Sequence, residues 1–302
     1  MSISTKATLA ALLSNAIFGF SFLFTKVALE VSHPSVLLSI RFLVSFLLLS
    51  LFILAGKQKI SLKGKPVGKL LIMGLIQPVI YYFCETKGIA MTTASFSGVM
   101  IGLIPVAGLI IGVAFLKEKC TVFQVCCTVL SVIGVAMTTT GGFGTFSLPG
   151  FLYLLGAVMA AATFTAISRS ISHCFSAFER TYVIAAMGTV AFTLMALVQS
   201  RSDLSVWLEP LDEVAFWLPL LYLAAGSSVC AFLLYNSSLN HLKAGHVLML
   251  SNFTTVVSVL AGILILGDSF TPVQLAGICI IVLSVVGISW QQGKTASAAS
   301  GS

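Results

Sequence analysis

Residues 94–124 read ASFSGVMIGLIPVAGLIIGVAFLKEKCTVFQ, and residues 244–274 read AGHVLMLSNFTTVVSVLAGILILGDSFTPVQ. At an offset of 150 they align Ala94 with Ala244, Leu116 with Leu266, Glu118 with Asp268, Thr121 with Thr271 and Gln124 with Gln274. The stretches that follow share LSVIGV at 130–135 and LSVVGI at 283–288, with a slip of three residues. Each copy is a long apolar run ending in a charged turn. The chain therefore reads as two related halves.

Outward from these copies, apolar runs fall near 7–29, 35–55, 70–88, 94–116, 122–139, 150–168, 181–199, 216–238, 244–266 and 271–290. A helix of about 20 residues crosses the hydrocarbon core of a bilayer, so each run has spanning length. The composition agrees: 58% of residues are hydrophobic, 8% are charged, and the mean hydropathy is +1.08. A soluble domain carries roughly 25% charged residues to keep its surface hydrated. The reading is an all-α integral membrane protein of ten transmembrane helices. Five helices per half is an odd number, so the second half enters from the opposite side. That is a 5+5 inverted repeat, an architecture that recurs among secondary transporters. The expected units are 1–139, an outer linker at 140–149, 150–290, and a disordered tail at 291–302.

With the N-terminus inside, the inner side collects Lys6, Lys57, Lys59, Lys63, Lys65, Lys69, Lys117, Lys119, Arg169, Arg180, Lys243 and Lys294. The outer side holds Lys87 and Arg201, with Lys26 and Arg41 near the outer ends of their helices. By the positive-inside rule both termini are cytoplasmic, in an inner (plasma) membrane. The net charge of +7 is then a topology signal. It is not the footprint of nucleic-acid binding, which would need a basic patch outside the apolar segments. The N-terminal run is too long for a signal-peptide core and reads as the first span.

The seven cysteines lie mostly in apolar segments, and Cys126-Cys127 is not a CxxC motif. The four histidines are dispersed, and no HExxH, P-loop or nucleophile motif occurs. Gly141-Gly142-Phe143-Gly144 follows no strand, so it is a loop rather than a dinucleotide fingerprint. No metal or cofactor is expected, and neither is an enzyme. The expected partners are a small-molecule substrate, the lipid bilayer and protons as coupling ion.

Polar side chains inside a bilayer are expensive and mark function by default. Asn15, Gly19, Phe22 and Lys26 share one face of the first helix, with Asn15 about 12 Å from its start. Asn15 either meets a substrate or makes an interhelical hydrogen bond. Lys26 either snorkels or pairs with Glu30, or is a charge whose partner changes during a transport cycle. Arg41 reads as snorkelling to the outer face. Gln77, Tyr81 and Glu85 form a stripe on the third helix, where Pro78 removes a backbone donor. Glu85 is the acidic residue placed for proton coupling; the alternative is a helix-end charge in the headgroup zone. The 150-residue offset maps Gln77 onto Ser227 and Glu85 onto Tyr235. Ser227, Ser228, Tyr235 and Asn236 thus face them from the other half. Ser251, Asn252, Thr255 and Ser258 add a ninth-helix set, and Ser97 and Pro105 a fourth-helix one. Gly98 and Gly102, like Gly108 and Gly112, read as close-packing glycines.

Three stretches resemble the EamA-type ten-helix exporters of the drug/metabolite transporter superfamily. They are SNAIFGFSFLFTKVALEVSHPSVLLSIRF (14–42), YYFCETKGIAMTTASFSGVMIGLIPVAGLIIGVAFLKEK (81–119) and YNSSLNHLKAGHVLMLSNFTTVVSVLAGILILGDSFTPVQLAG (235–277). The resemblance implies a five-plus-five fold, export of metabolites such as amino acids or drugs, and a central cavity lined by helices 1, 3, 4, 6, 8 and 9. Polarity favours helices 1, 3, 4, 8 and 9. The chain departs from the family pattern at Thr255, where the first half has Pro105, and at Gly267-Asp268 in place of glycine-glutamate. A break in the ninth helix is therefore less expected than one in the fourth. The alternatives are a nucleotide-sugar or phosphate-ester exchanger, which would want several cavity cations, and a membrane-embedded lipid-modifying enzyme.

Overall fold

The computed structural model describes residues 3–116, 121–139, 147–200, 205–242, 244–268 and 271–298. The 117–119 turn, Gly141 to Gly144 of the linker, Arg201, Asp203, Lys243 and the end of the tail lie outside the described residues. The first half contains α1 (Ile3–Ala28), α2 (Pro34–Leu54), α3 (Val67–Gly74), a wide π turn (Leu75–Ile80), α4 (Tyr81–Ala90), α5 (Ala94–Ile101), α6 (Ile104–Leu116) and α7 (Val122–Thr139). The second contains α8 (Leu148–Ser170), α9 (Ala177–Gln199), α10 (Ser205–Asp212), α11 (Val214–Leu221), a second π turn (Tyr222–Ala231) and α12 (Phe232–His241). It continues with α13 (Ala244–Leu250), α14 (Asn252–Ala261), a third π turn (Gly262–Leu266) and α15 (Pro272–Ala298). No strand occurs among the described residues.

Seven helices among the described residues are long and apolar enough to cross a bilayer: Ile3–Ala28, Pro34–Leu54, Val67–Ala90, Ala94–Ile111, Leu148–Ser170, Ala177–Gln199 and Val214–His241. Shorter apolar helices occupy Val125–Gly134, Asn252–Leu266 and Pro272–Ser284. Their outer faces carry bare apolar side chains such as Leu54, 83% exposed, and Leu264, 78% exposed. In water each such side chain would forfeit about 25 cal/mol per Å² of apolar surface, so these faces suit lipid. The α15 helix carries on past residue 290, where the sequence suggested a disordered tail, to Ala298.

Local sequence starts the helices. His33 caps α2, its Nδ1 accepting from the Ser35 backbone N–H, with Pro34 at the first helical position. Burial, with Lys87 nearby, holds the His33 pKa below its ordinary value. Ser176 and Glu179 form a capping box on α9, so two otherwise orphaned backbone donors are satisfied.

Breaks inside the spans matter more for the site. At Gln77 the backbone leaves the helix (φ −136°, ψ 113°) before Pro78, and the Gln77–Pro78 bond is cis. The second π turn, Tyr222–Ala231, holds Ser227, the residue 150 positions later. A break also separates α5 from α6 at Gly102 and Leu103, just before Pro105. The ninth-helix stretch breaks as well, at Ser251 between α13 and α14, although Thr255 replaces the proline. There the Ser251 hydroxyl donates back to the Leu248 carbonyl (2.5 Å). Such back-bonding competes with the regular ladder and bends helices without proline.

Packing follows the same pairing. The α2 helix lies on α9, and α7 on α15. The α1 helix packs on α12 and α14, while α8 packs on α4 and α6.

Candidate functional site

These packed helices line a cavity of about 50 Å³, room for a few waters. Its wall takes residues from α1, α2, the first and second π turns, α4, α5, α6, α8, α12, the break at Ser251 and α14. The α8 helix, whose sequence offered few polar groups, contributes Phe164 and Thr165, and α2 contributes Arg41.

Arg41 does not snorkel. It is 1% exposed and lies about 10 Å into α2 from Pro34 at 1.5 Å per residue. Its Nε donates to Ser228 Oγ at 2.8 Å, and its Nη2 to Ser227 Oγ at 3.0 Å and to the Tyr82 hydroxyl at 3.1 Å. The guanidinium carbon sits 4.3 Å from the centroid of the Tyr82 ring. A buried charge is costly unless paired or fully hydrogen-bonded. Here neutral hydroxyls and an aromatic face do that work. Among the described residues the ion pair closer than 4.0 Å is Lys65–Glu179, so Arg41 has no such carboxylate partner.

Glu85 lies in the same wall, 5% exposed, rather than at a headgroup boundary. It accepts from the Tyr81 hydroxyl at 2.7 Å. Before the break, Gln77 also lines the cavity, 6% exposed, and its Oε1 is buried with no partner among the described residues. Asn15 joins the wall and also ties α1 to α14: its Oδ1 accepts from Thr254 Oγ1 at 3.0 Å, and its Nδ2 donates to the Ala11 carbonyl.

Of the residues singled out by sequence, Asn15, Phe22, Gln77, Tyr81, Glu85, Ser227, Tyr235 and Ser251 line the cavity. Others lie outside the wall and serve packing. Ser228 holds Arg41 from behind. Ser97 bonds within its own turn, to Thr92 and Thr93. Thr255 donates to the Gly98 carbonyl. Asn236 bridges Ser168 and Thr181, and Asn252 is half-buried off the wall. A Cβ on Gly98 would fall 1.7 Å from Ser258 Oγ, one on Gly102 2.4 Å from Thr255 Oγ1, and one on Gly19 2.6 Å from Val257 Cβ. Pro78 and Pro105 mark the two first-half breaks. Sequence reasoning missed Arg41, Tyr82, Phe232 and Thr254. The available signal was an arginine set deep in an apolar run.

At two ends of the helix bundle basic side chains bind backbone carbonyls. At one end Lys26 Nζ donates to Ile89 O (3.1 Å), in the last turn of α4, and to Thr92 O (2.6 Å), just past it. No ion pair joins it to Glu30 among the described residues. At the other end Arg169 Nη1 donates to Leu239 O (2.7 Å) and Asn240 O (3.3 Å), at the last turn of α12. Beneath it Arg180, fully buried, donates to Ser168 Oγ (2.7 Å), to Asn236 O (2.7 Å) and to Asn240 Oδ1.

The EamA-like transporter family matches residues 5–140 and 148–290. An uncharacterized transporter of Bacillus subtilis (strain 168), YcxC, is 31% identical over 94% of this chain and 92% of its own length. A second from the same organism, YetK, is 28% identical over 88% of this chain and 82% of its own. An uncharacterized transporter of Archaeoglobus fulgidus is 22% identical over 89% and 93%. One solved crystal structure superposes with a TM-score of 0.68 at 17% identity, covering 96% of this chain and 98% of that one, and shares the fold. With an all-helical bundle, lipid-suited faces and a family match across both halves, the chain belongs to the EamA-like transporter family of multi-pass membrane proteins.

Proposed function

We propose that the chain is a secondary transporter that exports a small metabolite, an amino acid or related compound, across the plasma membrane by alternating access. Ten spans form two inverted five-helix halves with both termini cytoplasmic; the three shorter apolar helices complete the count. One observation carries the reading. Wall residues of the cavity come in pairs at a constant offset: Gln77 with Ser227, Tyr82 with Phe232, Glu85 with Tyr235, Ile101 with Ser251 and Ile104 with Thr254, each 150 apart. From α1 and α8, Phe18 with Ala161, Ser21 with Phe164 and Phe22 with Thr165 are each 143 apart. A cavity lined this way lies where two equivalent halves meet. That is the place a rocking motion would expose to each side in turn.

The end closures obey the same offsets. Lys26 and Arg169 differ by 143, and their acceptors Ile89 and Leu239 by 150. An alternating-access cycle opens one of these ends while the other stays shut. Glu85 is the group through which proton coupling would run. Arg41 lends some support to a phosphate-ester exchanger, but a phosphate prefers several donors of this kind, and Arg41 is the only Lys or Arg on the wall among the described residues.

Purified protein in liposomes tests the proposal, with flux of the common amino acids followed with and without a pH gradient. Gln77→Ala and Asn15→Ala should each lower flux about fivefold or more while leaving the amount of folded protein unchanged. Unaltered flux in both would remove this cavity from the transport path.

A further inference from the structure

The paired wall is not chemically even. Its two charges, Arg41 and Glu85, both come from the first half, and so does the unpartnered Gln77 Oε1. At the positions equivalent to Tyr82 and Glu85 the second half sets Phe232 and Tyr235, and it adds Phe164 and Ala161. Arg41 is surrounded by hydroxyls and a ring and has no counter-anion within 4.0 Å among the described residues. Glu85 is held by one tyrosine hydroxyl. A buried guanidinium held by neutral groups is a poised anion receptor, because charge-assisted bonds are roughly twice as strong as neutral ones. A buried carboxylate in a wall that also holds a free amide oxygen is likewise poised for an ammonium donor.

We infer that Arg41 takes the carboxylate of the substrate while Glu85 and the Gln77 amide oxygen take its ammonium group, the apolar body lying against Phe164 and Phe232 of the other half. The inference rests on the transporter reading and adds to it which side chain reads which charge. The substrate then needs both charges at once. A cation alone would leave Arg41 without its anion, and an anion alone would leave Glu85 without its cation. Either omission strands a buried polar group, the strongest source of discrimination a site possesses.

Leucine, leucinamide and N-acetyl-leucine form a matched set of probes carrying both charges, the cation only and the anion only. Calorimetric binding to the full chain in detergent should favour leucine over each analogue by at least about tenfold, about 1.4 kcal/mol. In Arg41→Gln the preference over leucinamide should vanish while that over N-acetyl-leucine persists. In Glu85→Gln, nearly the same shape as the native residue, the pattern should reverse. Arg41→Lys should restore part of the lost preference, and if Arg41→Gln fails to fold, the Glu85→Gln arm still decides. Analogues that bind as tightly as leucine, or variants that weaken all three probes equally, would overturn the assignment. Selective binding without liposome flux would leave the charge assignment standing and sink the transport reading. Flux of single-charge solutes in preference to leucine would do the opposite.

Discussion

The two basic closures occupy equivalent positions but differ in how much they hold. Lys26, half-buried, places one ammonium on two carbonyls and ties α1 to the turn between α4 and α5. Arg169 makes the matching bond and adds Ser172 Oγ and the Asn240 carbonyl. Arg180 supports it from below, and the Lys65–Glu179 ion pair (2.8 Å) fastens the loop before α3 to the start of α9. Glu179 also accepts from the Ser61 and Ser176 backbone N–H groups. One end is thus latched by a single point charge and the other by a network spanning α8, α9, α12 and a loop. Equal sequence positions do not imply equal barriers: a guanidinium offers five planar donors where an ammonium offers three on a flexible stem. In the proposed topology the weak latch faces outward and the strong one inward, so leaving the closed state outward breaks fewer bonds.

The sharpest way to break the comparison is at Arg180. Arg180→Ala removes the donor shared by Ser168, Asn236 and Asn240 and leaves their oxygens buried. With bonds to charged groups contributing about 1.5–3 kcal/mol each and partial relaxation, a loss of about 3–5 kcal/mol is expected. Thermal unfolding in detergent should show a fall in Tm of several degrees, whereas Lys26→Ala should barely move it. Equal Tm losses in the two variants would erase the asymmetry.

Arg169→Ala acts more locally. It frees the Leu239 and Asn240 carbonyls, so the last turn of α12 should fray. Hydrogen exchange at Ser238 to His241 is expected to rise about tenfold, equivalent to about 1.4 kcal/mol of opening, with no change at the α4 end. Exchange that rises equally at both ends would mean the closures are not separate latches.

Some of this was legible in sequence and some was not. Gln77 and Glu85 stood out because they recur at helical spacing beside Pro78, and the offset of 150 led directly to Ser227 and Tyr235. The cavity wall follows that offset more closely than a list of polar residues suggested, since Phe232 and Ile104 belong to it and carry no polarity to reveal them. Arg41 was misread because a lone arginine some 10 Å from a helix end can either snorkel or turn inward, and only the hydroxyls of Ser227, Ser228 and Tyr82 decide between these. Those partners lie on other spans, far away in sequence. The break at Ser251 escaped for a related reason: proline is a visible breaker, whereas a serine hydroxyl bonding its own backbone is not. Lys26 and Arg169 ligate backbone carbonyls, which no side-chain pattern marks.

The smallest effect, and the finest test of the comparison, comes from Lys26→Met. Methionine keeps most of the apolar stem, so packing along α1 is retained and only the two bonds to the Ile89 and Thr92 carbonyls are lost. Both carbonyls lie near a half-exposed helix end, where water can replace part of what the ammonium gave. Exchange at Met91 and Thr92 should therefore rise only about threefold, under 1 kcal/mol, below the change expected for Arg169→Ala at its own end. If transport proceeds by opening the ends in turn, the same substitution should raise the share of protein open on the Lys26 side. A cysteine placed at Ser97, behind the turn that Lys26 holds, would then react faster with a water-soluble thiol reagent in Lys26→Met than in the parent. A cysteine placed at Ser238 would not. Unchanged or slower labelling at Ser97 would show that the ammonium does not hold that end shut, and exchange rising beyond that of the arginine variant would reverse the order of the two ends.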